Sequence, residues 1–437
     1  MTTYEHLKGF RDFYAPEMAA RREVIDTVEG VAERYGFREI GTPRLERAAM
    51  WTDKSGDEIV DELYAFEDHG GRHVTLTPEL TPTVARMYAA KSQELSKPVK
   101  WVSTRPFWRY EAVQQGRFRE FYQTNVDIFG SSDPSADAEV LAVAADALTA
   151  LGLDADDFEF RVSHRDILGS LLRSFDADVD VEDAIRAVDK SEKVSENEYL
   201  DLLADAGLGY DEAREFDDLL GVTDPANLDE LTEFADSAAL DDAVENLRAV
   251  LAAADDFGVG EHCDLSLRTA RGLDYYTGTV FECFDSKGRV SRSVFGGGRY
   301  DDLIEQFGGQ PTPAVGVAPG HSTLHLLLEE AGVYPDEELA TDYYVLQVGD
   351  TRGVAARVAR DLRAKGHVVE TDVSDRSFGA QMGYADSINA ETVVIVGEQD
   401  LANDEVTLKD MASGDQTTAP VDDFPGDRDR PTYGDYA

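Results

Sequence analysis

The most informative part of the chain is residues 99–129, which read VKWVSTRPFWRYEAVQQGRFREFYQTNVDIF. The runs Val99–Arg109 and Phe118–Phe129 are rich in β-branched and aromatic residues, so each run predicts a strand. The polar residues 111–116 between them predict a loop. We therefore expect two neighbouring strands of an antiparallel sheet within a mixed domain.

This strand–loop–strand segment also concentrates positive charge. It contains Arg109, Arg117 and Arg119, and residues 101–130 hold four arginines against three acids. A guanidinium binds phosphate or carboxylate well, and the ring of Phe121 could stack on a base. The segment therefore favours an anionic ligand, although three surface arginines could simply pair with surrounding acids.

The rest of the chain is strongly acidic. Its 437 residues include 41 Lys and Arg against 88 Asp and Glu, a net charge of −47, yet 42% of the residues are hydrophobic. Residues 171–260 alone hold 26 acids against six bases. This composition predicts a folded protein of two or three domains that is adapted to molar salt. The charge does not exclude an RNA partner, because counterion release contributes little to affinity in high salt.

Cysteine content and hydropathy predict the compartment. Cys263 and Cys283 form no CxxC pattern, so neither a structural zinc site nor a disulfide framework is expected. No run of 18 apolar residues and no signal sequence occurs, so we expect a cytoplasmic protein without a membrane partner.

The pattern along the chain divides it into four segments. Helical spacing alone occupies the stretch from about 165 to 258, and strand and helix patterns alternate from about 340 onward. We predict an α+β protein with the following segments: a first part of a catalytic domain at 1–164, a helical insertion at 165–258, the second part of the catalytic domain at 259–335, and an α/β domain at 336–437.

Several local elements are also predicted. They are a hairpin from strands 63–66 and 73–76, a helix 81–94 capped by Thr81, an Ala-rich helix 135–151, strands 273–284 and 290–295, a glycine-rich turn at 296–298, and a helix 300–307. Three glycines before a helix could admit a phosphate, but tight turns use glycine too.

Other polar residues have both structural and functional interpretations. Glu79 could receive an ammonium group or assist a helix N-terminus. Of the adjacent Tyr275 and Tyr276, one could line a pocket while the other packs, or both could fill the core. His321 and His325 lack a third ligand, so we expect no protein metal site. Neither a P-loop nor a GxGxxG in a βαβ unit is present.

Together these segments resemble the class II aminoacyl-tRNA synthetases, and within them the histidyl-tRNA synthetase family. Residues 36–46 resemble the first class motif, a dimerisation element, 107–130 the second, and 313–320 the third. Residues 271–276 and 296–301 resemble the two histidine-specific signatures. The resemblance covers the whole chain and implies a class II catalytic domain with a helical insertion, an anticodon-binding α/β domain, and a homodimer.

The resemblance also implies site residues. Histidine binding is expected from Glu79, Thr81, Gln123, Asp127, Arg271, Tyr275 and Tyr276; ATP binding from Arg109, Glu111, Arg117 and Phe121; contact with the tRNA acceptor end from Gln114 and Arg117; and catalysis from Arg109, Gln123 and Arg271. ATP is the expected substrate, with Mg²⁺ at its phosphates.

One departure from the family bears on function. The third motif continues Gly320-His321-Ser322-Thr323, so Thr323 replaces the expected arginine. Either another cation holds ATP, such as Arg117 or an ion, or activation is impaired. The first alternative predicts an enzyme that forms histidyl-adenylate and transfers the histidyl group to the 3′ end of tRNA(His). The second predicts a regulatory subunit of ATP phosphoribosyltransferase in histidine biosynthesis. The C-terminal domain favours the enzyme, because such regulatory proteins resemble only the catalytic part.

Overall fold

The computed structural model describes residues 4–52, 60–175, 178–271, 275–335 and 341–421. The chain divides into two compact units, the first comprising residues 1–12 and 21–335 and the second comprising 13–20 and 336–437. The finer division of the first unit at 164 and 258 stays a prediction.

A mixed sheet forms the centre of the first unit. Its strands are β1 (Arg38–Glu39), β5 (Val99–Trp108), β6 (Glu120–Phe129), β7 (Phe158–His164), β8 (Cys263–Leu265), β9 (Thr279–Asp285), β10 (Phe295–Arg299) and β11 (Ala314–Val317). They lie in the order β1-β5-β6-β11-β10-β9-β7-β8. The pairs β1/β5 and β7/β8 are parallel and the five inner pairs are antiparallel.

The predicted strand–loop–strand segment is confirmed as the antiparallel pair β5/β6. Its register runs from Val99 opposite Phe129 to Trp108 opposite Glu120. Both strands are slightly shorter than predicted, because the connection occupies residues 109–119 and includes the arginine at each end. A second, three-stranded sheet contains the predicted hairpin and consists of β2 (Leu45–Arg47), β3 (Ala65–Glu67) and β4 (His73–Leu76).

Helices cover the main sheet. In the described part of the first unit they are Ala15–Arg34, which begins in residues assigned to the second unit, Ala49–Thr52, Thr81–Lys91, Pro134–Ala150, Arg165–Ser174, Val181–Lys190, Glu196–Asp205, Tyr210–Leu219, Asp229–Phe234, Ala238–Asp256, Leu303–Gln306 and His321–Ala331. The Ala-rich helix is confirmed: Asp133 caps it, and its alanines let it pack closely into the core. Helices are the main elements between β7 and β8, as predicted.

Several local predictions are wrong. Gly296–Gly298 do not form a turn but lie inside β10, between β9 and β11. Residues 290–294 precede that strand, and the helix after it covers only Leu303–Gln306. The strand expected from 273 begins at Thr279 in β9, and residues 272–274 lie outside the described residues. Leu80, not Thr81, is the N-cap of its helix, which has no side-chain cap.

The second unit has its own five-stranded sheet. Its strands are β12 (Thr341–Val348), β13 (Val369–Thr371), β14 (Ala390–Gly397), β15 (Glu405–Asp410) and β16 (Gln416–Pro420), and its helices include Arg352–Ala364, Phe378–Ser387 and Glu398–Leu401. The order is β13-β12-β14-β15-β16. The predicted βαβα alternation is confirmed for the parallel strands β12, β13 and β14, while antiparallel β15 and β16 extend the sheet beyond the prediction.

None of the helices in the described ranges has the length and apolar run that a membrane crossing requires.

Candidate active site

A cavity of about 740 Å³ opens over the main sheet of the first unit. Every site residue expected from the sequence lines it: Glu79, Thr81, Arg109, Glu111, Gln114, Arg117, Phe121, Gln123, Asp127, Arg271, Tyr275 and Tyr276. These residues come from both sides of a long helical segment, so the sheet brings together positions far apart in sequence.

Strand β6 supplies one wall of the cavity. Alternate residues of a strand face the same side, and Phe121, Gln123, Asn125 and Asp127 all line the cavity. The Gln123 side-chain amide donates to Oδ1 of Asn125 at 2.8 Å, which orients both side chains. Sequence reasoning missed Asn125, although the period of two from Gln123 to Asp127 includes it.

Two glycines on neighbouring strands make room for charged side chains. A Cβ at Gly296 in β10 would lie 2.7 Å from Nη1 of Arg271, and a Cβ at Gly316 in β11 would lie 2.2 Å from Oδ1 of Asp127. Any larger residue would therefore displace Arg271 or Asp127 from the cavity wall. The glycine-rich sequence serves this close approach rather than a turn.

Asp127 is a buried carboxyl with one phenolic partner. The Tyr300 hydroxyl donates to its Oδ1 at 2.5 Å. Burial raises the pKa of Asp127 to about 7, and the Tyr300 bond opposes the shift only in part. This carboxyl is suited to a polar N–H group of a ligand, and Tyr300, which the sequence analysis did not pair with it, holds it in place.

Glu79 is the second buried carboxyl that lines the cavity. It is only 3% exposed, and its Oε2 accepts a hydrogen bond from the Tyr275 hydroxyl at 3.3 Å. Its Oε1 is buried and has no hydrogen-bond partner within the described chain. Burial raises the pKa of Glu79, while Arg109 lowers it. A buried acceptor of this kind suits an ammonium group.

Tyr275 and Tyr276 both line the cavity and both also pack with a buried hydrophobic cluster, so the two alternatives, one lining a pocket or both filling the core, do not separate them. Strand β9 begins only at Thr279, so strand alternation does not separate them. Their ring centroids lie 4.9 Å apart.

Arg271 is fixed by a carboxylate on β9. Its Nη1 lies 2.7 Å from Oε1 of Glu282, which also accepts from the Ser293 hydroxyl at 3.1 Å. Burial lowers the pKa of Arg271, but Tyr276 and Glu282 raise it more, so it stays above the ordinary value. The backbone of Arg271 has a φ of 55°, which few residues other than glycine adopt. The structure thus holds a permanent cation at the cavity.

Of the three arginines of the β5–β6 connection, Arg109 and Arg117 line the cavity. Arg109 donates from Nε to the Pro78 carbonyl at 3.0 Å, and its guanidinium lies 5.5 Å from the centroid of the Phe121 ring. Arg117 pairs with Glu111 at 3.3 Å. Arg119, the third arginine of this segment, instead stacks on Tyr110 at 3.7 Å.

Comparisons with known proteins agree with this geometry. The family model for histidyl-tRNA synthetase matches residues 9–324, and a model for an anticodon binding domain matches residues 342–426. A histidine–tRNA ligase of Haloarcula marismortui is 71% identical over 99% of this chain and 100% of its own length. The chain belongs to the histidyl-tRNA synthetase family. A histidine–tRNA ligase of Pyrococcus furiosus is 37% identical over 96% of this chain and 97% of its own.

Solved structures of the histidyl-tRNA synthetase family share the fold. The enzyme from Nostoc sp. PCC 7120 superposes with a TM-score of 0.82 at 25% identity, covering 97% of this chain and 98% of that chain. A structure described as an ATP phosphoribosyltransferase regulatory subunit/histidyl-tRNA synthetase from Bacillus halodurans has a TM-score of 0.74 at 22% identity, covering 91% and 99%; it shows the fold alone.

The departure at the third motif of the family lies at the cavity. Ser322 and Thr323 begin the helix His321–Ala331 and line the wall, so a short hydroxyl side chain stands at each position. His321 is buried, and its Nε2 lies 2.8 Å from the Thr124 hydroxyl, in agreement with its expected structural role.

Proposed function

We infer that the chain is a histidine–tRNA ligase: it activates L-histidine with ATP and transfers the histidyl group to tRNA(His). One observation carries this conclusion. The cavity over the main sheet is lined by two buried carboxyls, Glu79 and Asp127, and by several arginines, an arrangement that fits a zwitterionic amino acid beside a polyphosphate. The identity of 71% to a histidine–tRNA ligase over the full chain supports it independently.

The reaction has two steps. A carboxylate oxygen of histidine attacks the α-phosphorus of ATP, the bond to the bridging oxygen breaks, and pyrophosphate leaves, which gives histidyl-adenylate. A ribose hydroxyl of the terminal adenosine of the tRNA then attacks the histidyl carbonyl, and AMP leaves. Both steps depend mainly on positioning and on neutralising phosphate charge.

Histidine binding is assigned to the buried end of the cavity. Glu79 would accept the α-ammonium group, with Gln123 and Thr81 beside it, and Asp127 would accept from the imidazole ring. The Tyr275 hydroxyl orients Glu79. Tyr276, which lines the same end, would complete the contacts with the ring.

ATP binding is assigned to the part of the cavity lined by arginines and Phe121. Arg109 and Arg271 would flank the α-phosphate, and the Phe121 ring would stack on adenine. Mg²⁺ prefers carboxylate and phosphate oxygens, and Glu111 and Glu282 offer such oxygens at the cavity. Mg²⁺, when bound, would neutralise part of the phosphate charge, and Glu111 and Glu282 are the residues that would hold it.

The tRNA and a second copy of the chain are the proposed macromolecular partners. Gln114 and Arg117 lie in the β5–β6 connection at the cavity and would meet the acceptor end. The second unit, which matches an anticodon binding domain, would bind the anticodon. We propose that residues 36–46 contribute to a homodimer, which the molar mass in molar KCl tests; a monomeric mass would refute it. The site of action proposed for this enzyme is the cytoplasm.

The test of the function is ATP–pyrophosphate exchange in molar KCl with Mg²⁺. Exchange should depend on histidine and should be absent with other amino acids. The Thr323→Arg variant is assayed in parallel. Histidine binding without exchange in the unmodified protein would refute the enzyme and favour the regulatory function, and rescue by Thr323→Arg would then name the missing arginine as the cause.

A further inference from the structure

Arg292 is a cation at the cavity that no sequence motif indicated. It lies in the connection between β9 and β10, is half-buried, and lines the cavity. A Cβ at Gly116 would lie 2.7 Å from Nη2 of Arg292 and 3.8 Å from the carbonyl oxygen of Ser322. The guanidinium therefore reaches across to the turn of the β5–β6 connection, and that turn lies close to the first turn of the helix His321–Ala331.

The turn at Gly116 is built for this approach. Gln114 and Arg117 exchange two backbone hydrogen bonds of 3.2 and 2.9 Å, and Gly116 between them has a φ of +69°. Glycine is the residue that adopts this conformation without strain, and it also leaves room for Arg292. Arg292 and Arg117 thus lie on the same wall.

Among the described residues, the charge of Arg292 has no carboxylate partner of its own. Within the described ranges, no hydrogen bond or ion pair involves its guanidinium. Burial and the nearby Arg117 lower its pKa, and Glu111 raises it, but Glu111 already pairs with Arg117 at 3.3 Å. Two guanidinium groups therefore share one carboxylate in a partly desolvated place, which favours an anion between them.

Other cations of the same connection are paired. Lys287 lies 2.9 Å from Asp157, and Arg289 lies 2.7 Å from Asp285. Neither residue lines the cavity. Arg292 therefore differs from both of them, because it faces the cavity and has no partner in the part of the chain that the structure describes.

We propose that Arg292, together with Arg117, binds the terminal phosphates of ATP and then the pyrophosphate that leaves. The proposal rests on the proposed function and extends it to a residue outside the family resemblance. Arg109 and Arg271 are assigned to the α-phosphate, and this second pair of guanidiniums supplies forked donors for the remaining phosphates. The short side chain of Thr323 on the same wall offers no cation there.

The test compares Arg292→Ala with Lys287→Ala in ATP–pyrophosphate exchange without tRNA. Both variants remove one positive charge from the same connection, but only Arg292 lines the cavity. We expect Arg292→Ala to raise the KM for ATP and for pyrophosphate by about tenfold or more, the effect of losing one charge-assisted contact, and to leave the KM for histidine within about twofold. Arg292→Lys should recover part of the loss, and Lys287→Ala should match the unmodified protein.

The outcomes separate this proposal from the proposed function. No exchange by the unmodified protein would refute the function itself. Normal exchange by the unmodified protein with an unchanged KM for ATP in Arg292→Ala would overturn the role of Arg292 alone. A raised KM for tRNA in the aminoacylation assay, with exchange unchanged, would assign Arg292 to the acceptor end instead and would also overturn the proposal. Equal circular dichroism spectra of the variants exclude misfolding as the cause.

Discussion

The buried carboxyl of Asp127 makes stability depend on pH through one residue. Its pKa rises from 3.8 to about 7 on folding, so the folded state holds this proton where the unfolded state has released it. The favourable contribution is complete below the unfolded value and is lost as the pH rises through about 7. Asp127→Asn removes this titration and keeps an oxygen to accept from Tyr300. The free energy of unfolding of the variant, relative to the unmodified protein, should rise by roughly 2 kcal/mol between about pH 5.5 and about pH 8.

Chemical denaturation at constant KCl measures this difference. Asp183→Asn is a suitable control, because Asp183 is an exposed carboxylate paired with Arg186. If the difference in free energy of unfolding between Asp127→Asn and the unmodified protein does not change with pH, the assigned protonation of Asp127 is wrong. The same variant should raise the KM for histidine, since an amide accepts one N–H less strongly than a carboxylate.

Arg271 is predicted to act on the transition state rather than on folding. Arg271→Ala should raise the activation free energy of histidyl-adenylate formation by ~3 kcal/mol or more, because it removes a fixed cation from beside the phosphate that gains charge. Single-turnover formation of histidyl-adenylate measures the effect, and an unchanged rate would refute the role. Glu282 loses its 2.7 Å partner in this variant, so the free energy of unfolding is measured beside the rate to separate catalytic loss from the effect of an unpaired acid.

At this scale the sequence predicted residues whose position follows from strand alternation. Gln123 and Asp127 were expected from the family resemblance, and the structure places them with Phe121 on one face of β6; Asn125 on the same face was missed. The Tyr300–Asp127 bond joins residues that are 173 positions apart in the sequence (300 − 127). The approach of Arg292 to Gly116 joins residues that are 176 positions apart (292 − 116). Such contacts depend on the order of strands in the sheet, which no local pattern contains.

At the scale of elements, a buried ion pair joins the sheet to the Ala-rich helix. Arg299 in β10 donates from Nε to Oδ1 of Asp137 at 3.1 Å, and the two side chains are only 6% and 1% exposed. Asp137→Asn leaves a buried guanidinium without its full counter-charge. We expect a loss of about 3 kcal/mol in the free energy of unfolding. Asp183→Asn, which breaks the exposed pair of Asp183 and Arg186, should lower the free energy of unfolding by less than about 1 kcal/mol. Equal losses for the two variants would contradict the importance of burial.

The elements that sequence analysis missed are those in which tertiary packing overrides local preference. Glycine runs are typical of turns, yet Gly296–Gly298 lie in a strand. Glycine is needed there because the neighbouring backbones and the Arg271 side chain leave no space for a Cβ. The pair β5/β6 was predictable because both strands contain many β-branched and aromatic residues and a polar loop separates them. Strand β16 was missed because four of its five residues are exposed, so alternation is weak, whereas β15 was missed although its Val406 is buried.

At the scale of the whole molecule, acid is distributed unevenly. Residues 171–260 have a net charge of −20 (six bases and 26 acids), whereas residues 101–130 have a net charge of +1 (four bases and three acids). Each segment contributes to the core of the first unit, but their self-repulsion differs greatly. Close relatives from Haloarcula and Halobacterium agree with adaptation to salt. Repulsion between the acids should therefore destabilise the helices of residues 171–260 first.

Lowering KCl from about 1 M to about 0.1 M lengthens the Debye length from about 3 to about 10 Å, so repulsion between the acids grows. We expect the protein to lose structure in this range, with the helices of 171–260 loosening before the main sheet. Far-UV circular dichroism follows the helices, whereas the three tryptophans, Trp51, Trp101 and Trp108, lie in the first unit outside that segment. Helical signal should therefore fall at higher KCl than the change in tryptophan fluorescence. Coincident transitions would contradict the order, and full stability in dilute buffer would show that the acidic charge does not make folding depend on salt.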